Sequence, residues 1–317
     1  MAMNELELIN RDVTGTVDVR DPVAVCTAVV AILQRRYPRA DAAPIEQLFA
    51  DFARLYRGEY PGFFACDTQY HDIQHVLDVT LAAVRLIDGY DASQPAFQQL
   101  GPELATVGVA VALFHDAGYI RRKGDTRHLY GAEYTRIHVS RSARFLAEYL
   151  PDIGLARMAP IAAKLVHYTG YEFKPEDIEV ADSRQRVLGA LIGSADVMAQ
   201  MADRAYLEKC RDRLYGEFEL GGMTRVRDDS GAERVLYASP ADLLKQTPDF
   251  IRRTVTERLE QLFGGVYRYF AVHFGGPNLY LEAIERNRRH LERLLATNDD
   301  QLLQRGSLRG PELAELH

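Results

Sequence analysis

Six of the nine histidines in this 317-residue chain fall between residues 71 and 167, at His71, His75, His115, His128, His138 and His167. Their surroundings say more than their number. The stretch from Leu104 to Phe114 carries no charge and runs into His115-Asp116, just before Gly118, a helix-stop signal. An aspartate there sits against the negative end of the helix dipole, and burial adds a desolvation cost; an adjacent cation relieves both. Asp196 poses the same problem as the only charge in VLGALIGSADVMAQM, residues 187–201. In YHDIQHVLDVTLAAVRLI, His71 and His75 stand one helical turn apart, and Val79, Ala82 and Leu86 continue that face, which predicts that it points inward. Three helices therefore deliver imidazole or carboxylate into one apolar interior. That donor set suits zinc, iron or manganese rather than calcium or magnesium alone. Taken singly, His75 reads as a hydrogen-bonded core histidine and Asp196 as half of a salt bridge; the ordered set is what points to a metal.

Helical periodicity dominates the elements that must place these residues. Asp21-Pro22 reads as an N-cap followed by proline at the first helical position, opening a helix to about Tyr37. Further helices are expected from Pro44 to about Arg57, from His71 to about Ile87, from Pro102 to about Asp116, and over 128–150, 155–167 and 182–202, with a loop over Gly58 to Gln69. The segment TRVRDDSGAERVLY, 224–237, alternates polar and apolar residues on both sides of a DSG turn and predicts one short hairpin. Helices over 240–272 and 278–296 follow, then a polar tail to His317 that reads as loose chain. The expected class is all-α. A core over 65–204 would be flanked by N-terminal helices in 1–64, by C-terminal helices with the hairpin in 205–296, and by the tail 297–317.

YHDIQHVLDV and FHDAGY resemble the two signature segments of the HD-domain metal-dependent phosphohydrolases, and GSADVMAQM resembles the segment that supplies that superfamily's last aspartate ligand. The first segment is also similar to its counterpart in class I cyclic nucleotide phosphodiesterases. The likeness covers about residues 65–202. It implies an HD-type helical bundle in which His75, His115, Asp116 and Asp196 bind metal and His71 takes the general-acid position. The phosphodiesterases follow their His-Asp pair with another histidine and a Gly-Asn-Asn stretch, whereas Ala117-Gly118-Tyr119-Ile120-Arg121-Arg122-Lys123 follows here. In this respect the chain resembles the two-metal branch, where two further histidines precede the last aspartate. His138 and His167 fill those places, and Asp116 would bridge two ions. The resemblance thus implies one or two divalent ions (manganese, iron, zinc or magnesium), water activated for attack on phosphorus, and a small phosphorylated substrate such as a nucleotide or cyclic nucleotide. Arg121, Arg122 and Lys123, directly after the His-Asp pair, are candidates for holding the substrate phosphate. Two other readings use the same ligands: a diiron HD-fold oxygenase, and a regulatory or ligand-binding module without turnover.

A formal net charge of −7 argues against a nucleic-acid polymer as partner. It does not exclude a small anion, because a bound cation reverses the field locally. Cys26, Cys66 and Cys210 are far apart and lack CxxC spacing, so neither a disulfide framework nor a zinc knuckle is expected, and the cytoplasm is the expected compartment. MAMNELELINRDV lacks a basic segment followed by an apolar one, and no apolar run is long enough to span a bilayer, so neither a signal peptide nor a membrane partner is expected. Oligomerisation stays open.

Overall fold

The computed structural model describes residues 8–227 and 231–297. In chain order the helices are α1 (Pro22–Arg36), α2 (Ala43–Tyr56), α3 (Ile73–Ser93), α4 (Gly101–Phe114), α5 (His138–Asp152), α6 (Ala159–Leu165), α7 (Ser183–Ala202), α8 (Tyr206–Lys209) and α9 (Tyr215–Leu220). Strands β1 (Arg225–Arg227) and β2 (Glu233–Val235) come next, then α10 (Pro240–Arg253), α11 (Tyr269–Phe274) and α12 (Leu279–Thr297). Helix makes up 65% of the described residues, and the antiparallel β1–β2 pair is the one strand ladder among them, so the class is all-α with a single short hairpin. Asp229 and Ser230 of the expected turn lie outside the described residues, as does the tail beyond Thr297. No described helix is long and apolar enough to cross a membrane.

Helix α3 is the axis of the fold and packs against α1, α4, α7 and α11, while α7 also packs against α12. Local signals explain several starts. Asp21 accepts the Val23 N–H at 2.9 Å with Pro22 at the first position of α1, and Asp182 accepts the Arg184 N–H to open α7. In α4 every residue from Val107 to Phe114 is buried, as its uncharged sequence requires. Each fully buried valine, leucine or phenylalanine contributes roughly 1.5–3 kcal/mol.

Three expectations are corrected. Helix α3 starts two residues late and ends six residues late. Asp72 accepts the His75 N–H at 2.9 Å and so becomes the cap, leaving His71 outside the helix. At the other end, the charged residues around and beyond the expected exit are buried and paired. Arg85 meets Asp12 at 2.5 Å, Asp88 meets Arg35, Arg36 and His273, and Asp91 accepts the N–H groups of Leu100 and Gly101. The expected helix over 128–150 begins only at His138. Glu133 takes the N–H groups of Leu129 and Tyr130, and Asp67 takes that of Gly131, so the first turn's donors go to carboxylates and a short 3₁₀ turn forms at Gly131–Tyr134. The expected helix over 240–272 passes from α10 into a π-helical stretch, Thr254–Leu262, and then breaks at Gly264 and Gly265, both left-handed with φ of 65° and 68°.

Candidate metal centre

The first turn of α3 carries His75, the end of α4 carries His115 and Asp116, and the middle of α7 carries Asp196. These four side chains meet. His75 Nε2 lies 3.4 Å from Asp116 Oδ2 and 3.5 Å from Asp196 Oδ1. His115 Nε2 lies 3.1 Å and 3.7 Å from the same two oxygens. His75, His115 and Asp116 form a buried group able to hold a metal ion. His115 Nδ1 donates to Ala112 O at 2.8 Å, which leaves the lone pair on Nε2. That Nε2 and Asp116 Oδ2 are both buried without a hydrogen-bond partner. Orphaned buried polar atoms are rare and costly, and these two face each other in a donor set suited to a divalent ion. Ligands about 2.0–2.2 Å from one ion stand roughly 3–3.5 Å apart, close to the separations seen. The residues present therefore fit a metal.

The electrostatics agree. Burial opposes a charge on His75, yet the Asp116 and Asp196 carboxylates outweigh it and push its pKa up to about 10. Burial likewise opposes charge on Asp116, but His115, His71 and His75 hold it well below the usual carboxylate range. Asp196 is lowered in the same way, against its burial, by His75 and His115. Two buried carboxylates thus stay ionised and draw positive charge to this point.

The other oxygen of Asp116 points to a second position. Oδ1 stands 3.6 Å from His138 Nε2, at the first residue of α5, and His138 Nδ1 donates to Thr135 O at 2.7 Å. The turn after Asp116 lies tight against α5. Gly118 N–H donates to Ser142 Oγ at 2.8 Å, and Arg141 Nε donates to Gly118 O at 2.6 Å. A Cβ at Gly118 would lie 1.8 Å from His138 O, so only glycine permits this approach.

His71 stands beside the cluster. Its Nδ1 is 2.7 Å from Glu217 Oε2, and Glu217 Oε1 also accepts the Tyr70 N–H, so the ring is held with Nε2 as its free nitrogen. The ring stacks on Tyr119 at 4.7 Å, and Tyr119 stacks on His138 at 4.3 Å. Burial lowers the pKa of His71, but Glu217 and Asp116 more than compensate and raise it. Burial wins at His138, whose pKa falls.

His71, His75, His115, Asp116, Tyr119, His138 and Asp196 line one cavity of about 450 Å³. Arg136 and Arg253 line it too, and neither is paired with a carboxylate among the described residues. Four sequence candidates lie elsewhere. His167 packs edge-on against Phe173 at 4.8 Å, with a buried, unpartnered Nδ1, and does not line the cavity. It sits on the 3₁₀ turn that ends α6, and that turn carries Tyr168 and Thr169, not His167, toward the interior. Arg121, Arg122 and Lys123 are drawn away by backbone pairing to 62–64: Phe64 N–H donates to Arg121 O, and Lys123 N–H to Gly62 O. Arg121 then pairs with Asp67 at 3.1 Å and Arg122 with Glu148 at 2.5 Å, so neither faces the cluster, and Lys123 is likewise absent from the cavity lining. Glu217, Arg136 and Arg253 belong to the site and were not singled out from the sequence as its working residues. Compared with known proteins, the chain matches no family model and no curated sequence.

Proposed function

We propose that this protein is a divalent-metal-dependent phosphohydrolase acting on a small phosphate ester. The observation that carries the reading is the meeting of His75, His115, Asp116 and Asp196 in a cavity, with two orphaned donor atoms face to face and His71 alongside. A volume of about 450 Å³ is in the range of small-molecule sites. His75, His115, Asp116 and Asp196 would hold one ion, and the outer oxygen of Asp116 with His138 offers part of a second site. Ions bound there supply Lewis acidity toward a phosphoryl oxygen and acidify water. His71 holds a proton on Nε2 for the leaving oxygen, because Glu217 occupies Nδ1 and favours the charged ring. Arg136 and Arg253 place positive charge on the cavity wall, where an anionic substrate enters.

The test is elemental analysis of the purified protein, followed by a panel of phosphate esters assayed with the metal found. The reading expects stoichiometric metal and phosphate release, both lost in Asp116→Asn. Metal-free wild-type protein, or hydrolysis that survives Asp116→Asn, overturns it. Oxygen uptake by the ferrous protein without phosphate release would replace it with the oxygenase reading.

A further inference from the structure

The cavity has two chemically different sides. One side is the cluster of imidazole and carboxylate. The other is built by the chain from α8 to α10 and presents Leu214, Phe218, Met223, Tyr237, Leu243 and Phe250. Phe218 and Tyr237 stack at 5.8 Å, giving this wall a flat aromatic patch. On α10, Leu243, Thr247 and Phe250 fall three or four residues apart and so form one stripe facing the cavity.

Short of Arg253 at the end of α10, the amide and hydroxyl donors along the stripe are already engaged. Thr247 Oγ1 donates to Leu243 O at 2.9 Å. Gln246 Nε2 donates to Leu236 O at 2.9 Å and to Asp242 Oδ2 at 3.2 Å, which uses both amide hydrogens. A nucleobase pressed on Leu243, Thr247 and Phe250 would give up its bonds to water with little in exchange, whereas a hydrocarbon surface gives up none and gains by leaving water.

We infer that the alcohol portion of the substrate is an apolar group, aryl or branched alkyl, and not a nucleoside. It packs on this wall while the phosphoryl group lies at the His–Asp cluster. The inference rests on the phosphohydrolase reading for the phosphoryl end and on the wall alone for the apolar end.

The experiment is calorimetric titration of the metal-loaded protein with naphthylmethylphosphonate, methylphosphonate, adenosine phosphonate and naphthol. Naphthylmethylphosphonate should bind at least about tenfold more tightly than methylphosphonate, the scale that apolar pockets reach, and more tightly than adenosine phosphonate. Phe250→Ala should remove most of that advantage and leave methylphosphonate binding unchanged. Met223→Gln, nearly isosteric and at a half-buried position, should do the same without emptying space, and circular dichroism checks that both variants fold. Equal affinities for the naphthyl and methyl compounds, or tighter binding of adenosine phosphonate, overturn the apolar-group inference and leave the phosphohydrolase reading standing. Naphthol binding as tightly as naphthylmethylphosphonate, with sensitivity to Phe250→Ala, overturns the phosphohydrolase reading and leaves the wall's preference standing. Binding of none of the four overturns both.

Discussion

Gly118→Ala offers a sharp test of how the metal centre is built. The added methyl would lie 1.8 Å from His138 O, 2.7 Å from its carbonyl carbon and 2.9 Å from Arg141 Cβ. The nearest atom is backbone at the first turn of α5, so no side chain can swing aside. Overpacking of this kind costs roughly 1–3 kcal/mol. The two hydrogen bonds that pin the turn, Gly118 N–H to Ser142 Oγ and Arg141 Nε to Gly118 O, would stretch as the segments part, adding roughly 1–3 kcal/mol. A loss of roughly 2–6 kcal/mol is a large share of the 5–15 kcal/mol typical of a folded domain. Because Asp116 precedes this turn by two residues and His138 is the residue struck, both sides of the cluster should shift and metal affinity should fall with stability. Gly124→Ala is the matched control, since a Cβ there meets nothing within 4 Å. Urea unfolding followed by circular dichroism, with metal content measured in parallel, reads the result. Equal midpoints for the two variants would refute the packing argument. A destabilised Gly118→Ala that keeps wild-type metal affinity would refute the link between that turn and the site.

Three further outcomes are expected. His138→Ala should lower the number of ions bound under metal-replete conditions, whereas His167→Ala should not; elemental analysis showing the reverse would mean that the second position lies elsewhere. Glu217→Gln should lower the pKa of His71 in metal-free protein, because it removes the foremost influence opposing burial; an unchanged imidazole titration by NMR counts against the Glu217–His71 contact. Burial would raise the pKa of Asp12, but Arg85, the Val17 N–H and Thr14 together hold it below 3.8, so its stabilising effect is whole above about pH 4 and is lost as pH falls through the folded value. Asp12→Asn should therefore flatten the acid side of the stability profile and cost roughly 3–5 kcal/mol at neutral pH by stranding Arg85; an acid limb as steep as that of the wild type would contradict this.

The cluster was legible because its residues are anomalies where they stand. Asp196 is the lone charge of residues 187–201, and Asp116 closes the uncharged stretch 104–114, so each needs a cation that its own stretch does not provide. The helix start at Asp21-Pro22 was legible for a related reason, since caps act within three residues. What failed depended on distant partners. Glu217 lies in YGEFEL, for which no element was expected, and only the fold brings it to His71. Arg121 and Arg122 follow the metal pair in sequence, but the turn at Gly118-Tyr119 and the pairing with 62–64 send them to Asp67 and Glu148. The exit of α3 was expected near Ile87, just before Asp88. Nothing local tells that Asp88 is buried among two arginines and a histidine.

The residues proposed to hold metal come from 75–196, and the apolar wall comes from 214–250. These tracts follow one another with no overlap, so under the proposed function the chain would keep its reaction and its choice of molecule in separate lengths of sequence. Descendants of such a chain could change what they accept by rewriting the later tract, with no penalty at the ions. Glu217 is the exception, because it sits within the wall's tract yet holds His71. Divergence is therefore expected to range freely over Met223, Leu243 and Phe250 and to stop at that one carboxylate, where a change of taste would also change the chemistry.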